Sequence, residues 1–359
     1  MNLARCFFDE LAGRLYHADE DAGDLQAPRL FGQIAEAMYL HEAERHVRGG
    51  VSRGSLQVMR NRLGLHILPE LGARPLQAIG HAQLQALVAR LGRERFSSTT
   101  ISQYLVIVRK VFKLARQLGH LRDMPEFPVV KVHSTPRGGF SVGGYAAILQ
   151  TRRRFRGQLY PIASPLDESG RFWIHRELLA MPPDLAWAIA FMVNTFIRPS
   201  DLKVMRHRHI EEVRGNHVYL RMNLPETKRH DKPVVSMRAA VRIYKALKAA
   251  GAQQGVAGPD DYLFLPQIAN REHALAVLNF HFQWVLKECR LTYGPLGQRR
   301  TLYSLRHTSI SFRLLYGQGI DMLTLARNAR TSVQMIERFY AASLSGEMNI
   351  GLLQSRRVK

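Results

Sequence analysis

Between Met124 and Gly144 the chain carries Pro125, Pro128, Pro136, Gly138, Gly139, Gly143 and Gly144. This interruption constrains the fold more than any other feature. Proline removes a backbone donor and glycine relaxes the backbone, so the stretch reads as a linker between two domains. Two domains are also what a chain of 359 residues leads one to expect. The expected order is an acidic N-terminal segment over 1–28, a helical domain over 29–123, the linker over 124–140, a second domain over 141–343 and a tail over 344–359.

The two halves differ in period. In the first, Ile101, Tyr104, Leu105, Val108, Val111, Phe112 and Ala115 recur at steps of three and four, which predicts one buried helix stripe. Ser97, Ser98 and Thr99 precede it as candidate caps. Its other faces carry Gln103, Arg109, Lys110, Lys113 and Arg116. In the second half a helix is expected from Tyr145, followed by the basic run Arg152 to Arg156. A loop spans Pro161 to Pro183 and an apolar helix runs from Leu185 to Phe196. The period then shortens: His209–Val213, Val218–Met222 and Lys232–Met237 read as strands, with turns at Gly215-Asn216 and Arg229–Asp231. Helical signals return from Ala239 to Met335. The fold class is therefore mainly α with a small antiparallel β-sheet.

Charge narrows the partners. Lys and Arg number 51 against 29 Asp and Glu, a formal net charge of +22. Such an excess suits a polyanion, because each cation set on a phosphate releases condensed counterions. Phospholipid would attract it too, but no apolar run reaches the roughly 18 residues needed to span a bilayer. A nucleic acid is the expected partner, with no membrane and no small-molecule substrate. The only cysteines, Cys6 and Cys289, build neither a disulfide framework nor a metal site, which fits a reducing cytoplasm. His207 with His209, and His273 with His281, lack further ligands at a metal spacing, so no metal and no cofactor is expected. The exception to the basic balance is residues 1–28, with Asp9, Glu10, Asp19, Glu20, Asp21 and Asp24, read as an arm that does not face DNA.

Four segments of the second half carry chemistry: Thr195-Phe196-Ile197-Arg198-Pro199-Ser200-Asp201-Leu202; Thr227-Lys228-Arg229; Tyr303-Ser304-Leu305-Arg306-His307-Thr308; and Arg330-Thr331-Ser332 followed by Met335 to Tyr340. Their order and spacing resemble the catalytic domain of the tyrosine recombinases, the phage integrase family. In the first half Val51–Leu56, Leu68–Leu76 and Ser98–Ile101 are similar to that family's helical core-binding domain. The resemblance runs from about Leu30 to Ala342. It implies two domains forming a clamp on duplex DNA, and a tetramer on paired sites with the tail docked on a neighbour. The implied activity is site-specific recombination, as in integration of a mobile element, in a cytoplasmic, nucleoid-associated enzyme.

Residue by residue, the resemblance makes Tyr340 the nucleophile, Arg198 and Arg306 a clamp on the non-bridging phosphate oxygens, and Lys228 the general acid. Guanidiniums suit that clamp because they stay charged and offer planar, paired donors. Asp201 is expected to support Arg198 by a salt bridge. Arg53, Gln103, Arg109 and Lys110 in the first domain, and Arg152 and Arg153 in the second, are candidate DNA contacts, most of them to the backbone. The chain departs from the family pattern at three positions. Tyr303 and Thr331 stand where histidines are usual (in some members a tryptophan at the second), and Arg330 replaces a glycine. A phenol, ionising near pH ~10, is a poor base at neutrality, so slowed chemistry is expected, with His307 taking over part of the proton handling. Two other functions fit the same residues: a DNA-binding protein that has lost catalysis, and a type IB topoisomerase.

Overall fold

The computed structural model describes residues 29–132, 138–161, 174, 176–225, 233–317 and 319–340. The acidic segment 1–28, Lys228 and the turn around it, and the tail 344–359 lie outside the described residues. The chain divides into two compact units, residues 1–134 and 135–359.

The first unit is helical: α1 (Phe31–Val47), α2 (Arg53–Arg62), a π-helical turn (Leu63–Ile67), α3 (Leu68–Leu71), α4 (His81–Arg93) and α5 (Ser98–Gln117). Ser97 caps α5 by accepting the Thr100 N–H at 3.2 Å. The stripe read from the sequence is buried throughout, with Ile107 added to it. It packs against Phe31, Ile34 and Met38 of α1 in a core that also takes Leu84, Leu87 and Leu91 of α4. The segment expected to be a linker is anchored at its start: Met124, Phe127 and Val130 pack on this core, and the Phe127 ring meets Phe112 at 6.1 Å. Burial of these apolar side chains outweighs the freedom that the neighbouring prolines and glycines suggest.

The second unit comprises α6 (Val142–Arg154), α7 (Pro183–Thr195), α8 (Pro199–Leu202), strands β1 (Ile210–Val213), β2 (Tyr219–Met222) and β3 (Val234–Val235), then α9 (Arg238–Gln253), α10 (Arg271–Glu288), α11 (Leu302–Tyr316), α12 (Met322–Asn328) and α13 (Val333–Tyr340). Helix α7 is apolar nearly all round and therefore runs through the middle, touching α9, α11, α10 and α6. The sheet is antiparallel in the order β1-β2-β3, with Glu211 opposite Arg221 and Met222 opposite Val234. Its strands are shorter than the sequence suggests, by one residue at the start of β1 and of β2 and by two at the end of β3, and Pro233 lies outside β3.

Phe140, 3% exposed, anchors the start of this unit. Its N–H donates to Thr308 Oγ1 at 2.8 Å, and Thr308 donates in turn to the Ser304 carbonyl at 2.8 Å. Gly139 lies so close to α11 that a Cβ there would sit 2.9 Å from the Thr308 nitrogen. A second small core lies beneath the C-terminal helices: Phe196, Ile310, Leu325, Ala326, Ala329, Ile336 and Tyr340.

Candidate active site

Helix α7 ends where Phe196 turns left-handed, at φ 59°. Two residues later Arg198 opens α8. Asp201, 1% exposed, caps that short helix by accepting the Arg198 backbone N–H on Oδ2 at 2.7 Å. The expected salt bridge from Asp201 to Arg198 is thus replaced by a backbone hydrogen bond. The ion pair of Asp201 runs elsewhere: its Oδ1 lies 3.7 Å from Nη1 of Arg330.

Helix α11 buries an unbroken run from Ser304 to Ile310. Arg306, 3% exposed, donates from Nη1 to the Phe196 carbonyl and from Nη2 to the Ala329 carbonyl. Those acceptors close α7 and α12, and the C-terminus of a helix carries partial negative charge that favours a cation. Arg198 donates from Nη2 to the carbonyl of Arg330, next in sequence to Ala329. Two adjacent carbonyls therefore fix two guanidiniums from distant parts of the chain. The remaining Nη1 of Arg198 is buried with no hydrogen-bond acceptor. Burial, and then the neighbouring charge of Arg198, pushes the Arg306 guanidinium below its ordinary pKa.

Three rings form a row beside the arginines. Tyr303 meets His307 edge to face at 5.2 Å between centroids, and His307 meets Tyr340 at 5.2 Å. Tyr340 ends α13 and is 7% exposed. Burial pushes its phenol well above the ordinary tyrosine value. The Arg306 charge opposes the shift and Tyr303 adds to it. The free protein thus holds Tyr340 protonated.

The turn after α12 explains why glycine suits position 330. The Arg330 N–H donates to the Arg327 carbonyl at 3.1 Å and the Thr331 N–H to the Ala326 carbonyl at 2.9 Å. This paired closure puts residue 330 in the left-handed region, at φ 51°. An L side chain there costs about 1–2 kcal/mol. Arg330 is nonetheless 4% exposed and paired with Asp201. Thr331 follows it, half-buried.

The structure thus brings Arg198, Arg306, Tyr303, His307 and Tyr340 together, with Thr331 at the adjoining turn. Sequence reading missed the long-range partner of Asp201 and the carbonyls of Phe196, Ala329 and Arg330. Of the candidate DNA contacts, Arg53 is exposed at the start of α2. Gln103 accepts from Arg62 at 2.6 Å, the Arg109 guanidinium lies 4.4 Å over the Phe127 ring, and Lys110 pairs with the buried Glu42 at 2.9 Å. Arg153 is exposed and Arg152 half-buried; both line a cavity of 160 Å³ with Arg156, Pro183 and Trp187. Among the described residues no cluster of His, Cys, Asp or Glu is placed to hold a metal ion, and no helix is long and apolar enough to cross a membrane.

Solved structures share this arrangement of elements. The Tn1549 transposon integrase in complex with transposon right-end DNA superposes with a TM-score of 0.60, over 91% of this chain and 99% of that one, at 15% identity. A lambda integrase tetramer bound to a Holliday junction gives 0.61 over 88% and 78%, at 14% identity. The chain has the tyrosine recombinase fold. Another lambda integrase structure bound to DNA gives 0.54 at 13% identity, over 81% of this chain and 89% of that one. No protein-family model and no curated protein matches the sequence. At these identities the recombinase likeness is one of backbone, and chemistry must be argued from the side chains.

Proposed function

We propose that this protein is a site-specific DNA recombinase that cleaves and rejoins duplex DNA through a 3′-phosphotyrosyl intermediate. The observation that carries the reading is the pair Arg198 and Arg306, held on adjacent carbonyls beside the buried phenol of Tyr340, with Nη1 of Arg198 unused. In this reading the two guanidiniums take the non-bridging oxygens of the scissile phosphate and stabilise the charge that grows there. The Tyr340 oxygen attacks phosphorus, and its proton passes to His307, the ring against it. The bond to the 5′ oxygen breaks as Lys228 supplies that oxygen with a proton. Attack by the 5′ hydroxyl of a partner strand on the phosphotyrosine reverses these transfers and frees the phenol. Tyr303 and Thr331, in place of histidines, slow proton transfer without changing the path.

The proposal extends to duplex DNA as partner, four protomers on two paired sites, a mobile-element role and a cytoplasmic, nucleoid-associated location. Support comes from the net charge of +22 and from the fold. The domain limits read from the sequence, the DNA contacts through Arg53, Gln103, Arg109, Lys110, Arg152 and Arg153, and docking of the tail on a neighbour belong to the same proposal.

The test uses nicked duplexes from the DNA flanking the gene, with the wild-type protein and Tyr340→Phe. A denaturation-resistant adduct with the wild type alone is the expected result. Adducts with both proteins would remove Tyr340 from the role. Tight specific binding without any adduct would select a catalytically degenerate DNA-binding protein. Relaxation of any plasmid, independent of protein concentration per site, would select a type IB topoisomerase.

A further inference from the structure

We propose that Arg330 is a positioning residue that occupies Asp201 and so leaves the Arg198 guanidinium free for the phosphate; this rests on the recombinase reading. Arg330 touches Arg198 through two routes. Its carbonyl accepts from Arg198 Nη2, and its side chain pairs with Asp201, whose other oxygen holds the Arg198 backbone N–H. Oδ1 of Asp201 is buried, accepts no hydrogen bond, and has the Arg330 guanidinium as its ion-pair partner at 3.7 Å.

A buried carboxylate without a cation is strongly disfavoured and draws in any that can reach it. The next guanidinium along the chain from Asp201 is that of Arg198, whose Nη1 has no acceptor. Without Arg330 the two would pair, and the clamp would lose one arm to its own support. The left-handed backbone at 330 is one that glycine adopts without strain, so glycine can replace Arg330 there without distorting the turn.

The test compares R330G, R330K and the double variant D201N/R330G. R330G relieves the backbone strain, which offsets part of the cost of losing the ion pair, and its melting temperature is measured alongside. Its crystal structure without DNA should show Arg198 turned onto Asp201, an outcome that needs no activity. Arg198 still on the carbonyl of residue 330 would overturn the inference. With nicked DNA at saturating protein, R330G should form adduct roughly 10- to 100-fold more slowly, the range in which a supporting group acts through its partner. R330K should recover part of the rate by restoring a cation. D201N/R330G should also be faster than R330G, because a neutral amide still caps Arg198 but cannot capture it. A double variant no faster than R330G, or R330G as fast as wild type, would refute the positioning role. Absence of adduct from the wild type would instead refute the recombinase reading and leave the crystallographic comparison to decide Arg330.

Discussion

Arg306→Lys separates the geometry of the site from its charge. The native guanidinium reaches two carbonyls at once, those of Phe196 and Ala329, from a position 3% exposed. An ammonium keeps the positive charge but cannot span both acceptors, so one carbonyl at a helix end loses its donor. Leaving a buried acceptor unmade costs about 1–3 kcal/mol. For a domain of this size each kcal/mol moves the melting temperature by about 2–4 °C, so a fall of about 4–8 °C is expected near the middle of the range. The chemical loss should be larger. Removing one preorganised donor from a developing oxyanion typically slows a reaction about 10²- to 10³-fold. Single-turnover adduct formation on nicked duplexes, run roughly 20 °C below the melting point, measures that loss without unfolding. The salt dependence of DNA binding should stay near the wild-type slope, because the count of positive charges is unchanged. A lysine variant that cleaved at the wild-type rate would refute the argument that paired planar donors at 306 are needed. One with normal stability would refute the claim that both carbonyls depend on them.

Tyr303→His combined with Thr331→His should raise the single-turnover cleavage rate by roughly tenfold or more, since a well-placed acid–base group contributes about 10²–10⁴; an unchanged rate would end the idea that these departures slow the chemistry. Tyr340 should ionise well above an ordinary tyrosine, which the difference between the spectrophotometric titrations of wild type and Tyr340→Phe measures. Because its pKa is raised on folding, the associated stability is complete below the ordinary phenol value and is lost as pH climbs through the raised one; extra instability of the wild type in mild acid, relative to Tyr340→Phe, would contradict the sign. Gly139→Ala should destabilise the second unit by about 1–3 kcal/mol, the usual range for overpacking, because the new Cβ meets the backbone of Thr308 at 2.9 Å; calorimetry showing no loss would mean that the two segments separate freely.

Much of this architecture is legible in the amino-acid sequence, for reasons that show where legibility stops. The α5 stripe is visible because one face of a helix repeats every 3.6 residues, and Ser97 marks its start. The alternation of β2 is visible for the same kind of reason. Arg198, Arg306 and Tyr340 are legible as an ordered set of residue types. Their holders are not, because the carbonyls of Phe196, Ala329 and Arg330 are backbone atoms that any residue supplies. Lys110 looks like a free surface cation until α1 is seen to bring Glu42 against it from 68 positions away. Met124, Phe127 and Val130 carry an apolar signal that the surrounding prolines and glycines mask. Asp201 sits three residues from Arg198, which makes a local salt bridge the natural expectation; its ion-pair partner, Arg330, comes from the far end of the domain.

The site stores more positive charge than it neutralises. Asp201 is ion-paired with Arg330, while Arg198 and Arg306 rest on helix-end carbonyls that supply only partial negative charge in compensation. Arg306 registers the imbalance, since burial and the Arg198 charge both push its pKa down. Such an arrangement is poor for stability, and in the proposed reaction it suits transition-state binding, where an oxyanion gains charge as the bond to phosphorus forms. Because the donors are fixed by backbone carbonyls and not by flexible carboxylates, little reorganisation is needed when that charge appears. The Asp201 carboxylate is then the group able to spoil the clamp, and Arg330, held in a backbone conformation that glycine would adopt without strain, keeps it occupied.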